Sequence, residues 1–91
     1  MSVKIKIPES LQSKTGGESS IEVADSTLGG CLHSLIRRHP DLTGEIVDDR
    51  GTLLLRWMIL INGKISKKSE DMLHPVRGGD VIALIPMIAG G

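Results

Sequence analysis

The sequence predicts an α+β domain: a mixed sheet of four to five strands with one main helix packed across one face. Three observations predict it. Two short runs near the start of the chain alternate apolar and polar side chains, the stretch after them carries apolar residues at helical spacing, and two apolar runs of strand length follow, each set off by a glycine-bearing turn. With 91 residues, 40% of them hydrophobic, the chain has room for one core and no second domain.

Val3-Lys4-Ile5-Lys6-Ile7 puts Val3, Ile5 and Ile7 on one face of a half-buried strand, and Pro8 ends it. A polar stretch containing Gly16-Gly17 leads to Ser20-Ile21-Glu22-Val23, which alternates again, so the two runs read as a hairpin with a long connecting loop. Asp25 or Ser26 then offers an N-cap, and Leu28, Leu32, Leu35 and Ile36, with Cys31 beside them, predict a helix from about residue 27 to 38. His39-Pro40 stops it. Gly29-Gly30 weakens its first turn by about 1 kcal/mol per glycine relative to alanine, which points to close packing there.

From Asp41 to Thr52 the chain is polar and turn-rich, with Asp48-Asp49-Arg50-Gly51 as a tight turn. A long apolar run opening at Leu53 contains the third strand, Trp57 through Ile61. Asn62-Gly63 is a turn pair that wants positive φ, and Lys64-Ile65 begins a short return. Gly78-Gly79-Asp80 turns the chain again, Asp80 bonding backbone amides, into a last strand, Val81-Ile82-Ala83-Leu84-Ile85, closed by Pro86. The first and last strands, the most apolar runs at their ends of the chain, are expected to pair in parallel at the centre of the sheet.

Composition excludes several function classes. Basic and acidic residues balance at 11 each and nowhere form a cationic run, and Trp57 is the only aromatic residue, so neither a phosphate-tracking surface nor a base-stacking platform can be built and nucleic acid is not an expected partner. The single cysteine, Cys31, excludes an internal disulfide and a cysteine-rich metal site. The start of the chain lacks an apolar signal-peptide core and no apolar run is long enough to cross a membrane, so the expectation is a soluble, cytoplasmic chain with no membrane partner. A core this small leaves little room for a deep enclosed active site, which argues against an enzyme.

After Pro86 the sequence reads Met87-Ile88-Ala89-Gly90-Gly91. The order of elements, the Asn-Gly turn after the third long strand, Gly-Asp before the last strand and the closing Ala-Gly-Gly together resemble the ThiS/MoaD family of ubiquitin-like sulfur carriers, over essentially the whole chain. Ile7-Pro8, Leu11, Thr15-Gly16-Gly17 and the length are similar to the CysO-like carriers of cysteine biosynthesis within that family, beside MoaD-like ones. The resemblance implies a ubiquitin-like β-grasp domain over residues 1–86 and a flexible C-terminal tail over 87–91.

It also implies a chemistry. Gly90 and Gly91 lack a Cβ and Ala89 carries only a methyl group, so Ala89 and Gly90 can thread a partner channel too narrow for larger side chains and present the Gly91 carboxylate. A free carboxylate is a poor electrophile. An E1-like adenylyltransferase, supplying ATP and Mg²⁺, would convert it to an acyl-adenylate, and sulfur from a persulfide or sulfide would displace AMP to leave a thiocarboxylate on Gly91. A sulfur-acceptor enzyme, such as the molybdopterin synthase large subunit or cysteine synthase, would then draw on it. The carrier itself needs no cofactor, no metal and no catalytic residue, and is expected to be a monomer when free.

If Trp57, Ile59 and Ile61 face the helix, Met58 and Leu60 point to the uncovered face and should be exposed. Counting back from the glycines, as in ubiquitin-like proteins, turns Ile82 and Leu84 inward and Val81, Ala83 and Ile85 outward. Met58, Leu60, Ala83, Ile85 and Ile88 are therefore the candidate partner-docking residues. Other candidates have plainer readings: Cys31 as core packing, His33, His39 and His74 as surface residues without ligand spacing, Arg37-Arg38 as partners of the helix dipole, and Lys67-Lys68 as a solvated turn. Two other functions share these features. Activated Gly91 attacked by a lysine amine would make the chain a protein modifier, and an idle tail would leave a plain interaction module.

Overall fold

The computed structural model describes residues 2–65 and 72–87. In chain order it contains β1 (Val3–Lys6), β2 (Ser20–Val23), α1 (Leu28–Arg38), β3 (Trp57–Ile61), β4 (Lys64–Ile65) and β5 (Val81–Pro86). The sheet order is β2-β1-β5-β3-β4. β1 and β5 run parallel at its centre, in the register Lys4↔Val81, Ile5↔Ile82 and Lys6↔Ala83, and the remaining neighbours are antiparallel. The expected mixed sheet with its central parallel pair is therefore present, and Ile5 and Ile82, paired across it, are both 0% exposed.

Alternation decides what faces inward. Val3, Ile5, Ile21, Val23, Trp57, Ile59, Ile82 and Leu84 are buried, and α1 lays Leu28, Cys31, Leu32 and Leu35 against them. The helix starts one position later than a Ser26 cap implied and two later than an Asp25 cap. Thr27 is the N-cap, its hydroxyl accepting from Gly30 N at 3.0 Å. Asp25 acts one step earlier, its Oδ1 accepting from Ser26 N at 2.7 Å and bracing the turn into the helix. Arg37 and Arg38 occupy the last helical turn, where the dipole favours cations, and Arg38 also donates to the Glu22 carbonyl.

Segments without periodicity also contribute to the core. The β1–β2 connection is not an open loop but a 3-10 helix, Glu9–Thr15, whose Leu11 and Thr15 are buried. The Thr15 hydroxyl lies 3.1 Å from the carbonyls of both Gln12 and Glu18 and so stays paired. Between α1 and β3, a short 3-10 helix at Pro40–Leu42 and the turns after it bury Leu42 and Ile46 completely. The Trp57 indole N–H donates to the Glu45 carbonyl at 2.6 Å and ties that segment to β3. The Asp48–Gly51 turn forms as expected, Asp48 Oδ1 accepting from Arg50 N and Thr52 N at 2.9 Å each.

The two ends of β3 and β5 that lie away from the tail are clasped together. Asn62 and Gly63 take φ of 54° and 80°, as an Asn-Gly turn requires. Asn62 N donates to Val81 O at 2.8 Å, and Asn62 Oδ1 accepts from Val81 N at 2.9 Å. Its Nδ2 donates to Asp80 Oδ1 at 3.1 Å, while Asp80 Oδ2 accepts from Arg77 N at 2.9 Å. Those donors, the Arg77 amide first and the Asn62 amide second, hold the Asp80 carboxyl below its ordinary pKa.

The glycine pair in α1 has the packing role that its helix cost implied. Residues 72–75 cross the first helical turn, Gly29 N donating to Met72 O at 2.8 Å and Leu28 N to His74 O at 2.9 Å. A Cβ on Gly29 would lie 2.9 Å from both Met72 Cβ and Met72 O. Gly29→Ala is therefore expected to destabilise the domain by about 1–3 kcal/mol in denaturant unfolding, overriding the roughly 1 kcal/mol that alanine gains in a helix. A stabilised variant would show that the 72–75 crossing yields freely.

Candidate functional site: the uncovered sheet face and the root of the tail

The candidate site follows from strand register. On β3 and β5 the inward set is Trp57, Ile59, Ile82 and Leu84, all buried, so the side chains between them stand on the face that α1 does not cover. Met58 lies opposite Ile85, and Leu60 lies opposite Ala83 on one side and Ile65 on the other. Lys6 is the next neighbour of Ala83 and Lys4 of Val81. One transverse row thus reads Lys6, Ala83, Leu60, Ile65, with Met58 and Ile85 beside it towards the tail.

Four of the five candidate docking residues, Met58, Leu60, Ala83 and Ile85, share this one apolar face. Met58 and Leu60 are half-buried rather than exposed, because each is shielded by its cross-strand neighbours. Ile85 is 38% exposed and Ile65 69%. Ile65 was not among the sequence candidates, although the Asn-Gly turn fixes the register that brings it beside Leu60. The fifth candidate, Ile88, lies outside the described residues, as do Ala89, Gly90 and Gly91, and also Lys67 and Lys68.

The margin of the face on β1 is cationic. Lys4 sits opposite Glu22, whose Oε1 is engaged by the Ser2 hydroxyl at 2.8 Å, while Lys6 sits opposite Ser20. At the other end, β5 hands the chain towards the tail. Met87 N donates to Arg56 O at 2.7 Å, which continues the β3–β5 ladder past Pro86. Leu53, Leu54, Leu55, Trp57 and Met87 line an open cleft of about 480 Å³ here, with Leu55 94% exposed and Met87 53%. The sequence signal for it was the unbroken Leu53-Leu54-Leu55 run, which one core face cannot absorb.

The remaining candidates fall apart in space or in chemistry. Cys31 is fully buried in the core, and burial, with the Asp25 and Asp80 carboxylates adding to it, pushes its pKa up to about 11. At neutral pH it is therefore a protonated, poorly nucleophilic thiol. His33 is exposed on α1, whereas His39 and His74 are half-buried on other segments. Among the described residues no group of three or more histidine, cysteine, aspartate or glutamate side chains is placed to hold a metal ion, and no helix is long and apolar enough to cross a membrane.

Known proteins match this chain, some of them along its whole length. Sulfur carrier protein CysO of Mycobacterium tuberculosis is 27% identical over 93 aligned residues, covering 100% of both chains. Small archaeal modifier protein 1 of Haloferax volcanii is 33% identical over 67 residues, covering 74% of this chain and 72% of its own. Among solved structures, a chain of the Amycolatopsis orientalis BexX/CysO complex superposes with a TM-score of 0.85 at 27% identity, covering 98% of this chain and 99% of that one. These likenesses bear out the ubiquitin-like β-grasp fold. The ThiS family model matches residues 5–91, from the core of β1 through Gly91, and the chain belongs to the ThiS family.

Proposed function

We propose that this chain is a sulfur carrier whose Gly91 carboxylate is activated as an acyl-adenylate and then held as a thiocarboxylate that donates sulfur in the biosynthesis of a small molecule. The observation that carries this reading is that the family match runs through Gly91 itself, with likeness to a sulfur carrier protein over the full length of both chains. In the first step a carboxylate oxygen attacks the α-phosphorus of ATP and pyrophosphate leaves. Hydrosulfide then attacks the carbonyl carbon, AMP leaves, and a C(O)S⁻ group remains. A persulfide donor would react in the same way and need a thiol to release the disulfide formed.

In this scheme ATP and Mg²⁺ belong to an E1-like adenylating partner, which also places the chemistry in the cytoplasm, where ATP is supplied. The chain's own contribution is presentation. β5 is held between β1 and β3 over Val81–Ala83 and along β3 from there to Pro86, and the apolar face beside it offers Met58, Leu60, Ala83 and Ile85 to a partner. The structural neighbour in complex with BexX supports a second partner of the sulfur-acceptor class. A cysteine synthase or the large subunit of molybdopterin synthase would fill that role. Cys31 does not carry the sulfur in this account, since its thiol is enclosed.

A second reading has its own support. The 33% identity to a small archaeal modifier protein fits a chain whose activated Gly91 is attacked by a lysine amine, giving an isopeptide bond with the same tail and the same activation. The two differ only in the nucleophile that meets the adenylate.

Deleting Gly91, or replacing Gly90 by a bulky residue, is expected to abolish ATP–pyrophosphate exchange by the adenylating enzyme while changing unfolding free energy by no more than about 0.5 kcal/mol. Full exchange with the truncated chain would overturn the assignment. For the docking face, Leu60→Arg should leave the domain folded, as judged by amide dispersion, and weaken binding to that enzyme by about 2 kcal/mol, roughly thirtyfold. Unchanged affinity in a folded Leu60→Arg variant would move the docking surface elsewhere.

A further inference from the structure

The Asn62-Gly63 turn carries a reactivity that the carrier chemistry does not use. In an Asn-Gly sequence the glycine nitrogen meets no side chain on its way to the asparagine Cγ. Once deprotonated, it can attack that carbon, close a five-membered succinimide and expel ammonia. Water then opens either imide carbonyl to give aspartate or isoaspartate. Atoms balance with water as the only co-reactant. The step requires the asparagine side chain to swing back over its own C-terminal peptide bond.

Here that swing is blocked by hydrogen bonds and not by burial, because Asn62 is exposed. Both ends of its amide are engaged: Oδ1 by Val81 N at 2.9 Å and Nδ2 by Asp80 Oδ1 at 3.1 Å. Asp80 is in turn fixed by Arg77 N at 2.9 Å, and the Asn62 backbone N–H is bonded to Val81 O at 2.8 Å. We propose that Asn62 is a deamidation site held latent by its bond to Asp80, and that its conversion turns the β3–β5 clasp into a repelling pair of carboxylates.

The location gives the modification its consequence. The next pairs along the ladder are Ile61↔Ile82 and Leu60↔Ala83, so the clasp sets the register of the apolar face and of the strand that leads to the tail. An aspartate at 62 loses the Nδ2 donor and points an oxygen at Asp80 Oδ1, and isoaspartate also inserts a methylene into a left-handed turn. Among the described residues the Arg77 cation favours the ionised form of Asp80, and Lys4 and Glu22 on the neighbouring strands line the same surface hollow. The new pair therefore repels at neutral pH. Its carboxyl pKa is raised, so the stability that it costs is lost as pH rises through the carboxylate range and is regained in acid, where one proton is shared.

Ageing of the intact chain at mildly alkaline pH, followed by peptide mapping for aspartate and isoaspartate at position 62, tests the proposal against the end-blocked peptide Leu60-Ile61-Asn62-Gly63-Lys64. The folded chain should deamidate at least about tenfold more slowly than the peptide, and Asp80→Ala should accelerate the folded chain at least about threefold. Should Asp80→Ala fail to fold, Asp80→Asn replaces it with the same expectation, since one oxygen must then serve both Arg77 N and Asn62 Nδ2. Asn62→Asp, made directly, should melt lower than the parent at neutral pH and approach it in mild acid. A parent chain as reactive as the peptide, or a folded Asp80 variant with an unchanged rate, overturns the guarding role. A melting difference independent of pH overturns the repelling pair.

Discussion

The pairing of the last strand with the first, in parallel and at the centre of the sheet, is the constraint on which the rest of this molecule depends. β5 is bonded to β1 on one edge and to β3 on the other, and its Ile82 and Leu84 lie under α1 in the core. A parallel neighbour needs a crossover, and here residues between β1 and β5 supply the helix that covers one face. The strand that leads to the tail is consequently anchored between two neighbours over Val81–Ala83 and guided along β3 from there to Pro86.

The same constraint explains the candidate docking face. One helix covers one face, and five strands leave the other to be managed by its own side chains. On β1 and β2 it is polar and charged, with Lys4, Lys6, Ser20 and Glu22, whereas on β3 and β5 it is apolar. Met58 and Leu60 shelter against their cross-strand neighbours, which keeps the free domain tolerable in water while leaving Ile65, Ile85 and Met87 open. In the proposed function, a partner that seats on this half of the sheet would also stand where β5 leads towards the tail, so recognition and presentation would share one strand.

Legibility in the sequence followed periodicity. The alternation in Val3–Ile7 and Ser20–Val23, the helical spacing of Leu28, Leu32 and Leu35, and the Asn-Gly turn each have one dominant physical reading, and each element formed where expected. The register of Met58 and Leu60 followed from the same period of two, and that of Ala83 and Ile85 from counting back from the glycines as in ubiquitin-like proteins. What sequence reasoning missed lies where no period exists. Leu11, Leu42, Ile46 and Val76 are buried from loop or 3-10 segments, placed by tertiary packing alone. Asp25, Ser26 and Thr27 are all chemically able to cap a helix, and which of them does so was settled by the crossing of residues 72–75 over the first turn. The tail glycines became legible through the family pattern that surrounds them, since two glycines alone specify no chemistry.

Intact-mass analysis of the protein isolated from its own cells tests the central claim most directly. The account predicts a species heavier than the unmodified chain by the exchange of one oxygen for one sulfur, with the change mapping to Gly91 and absent when that residue is removed. A population made up solely of unmodified chain and of Gly91 joined to lysines on other proteins would contradict it.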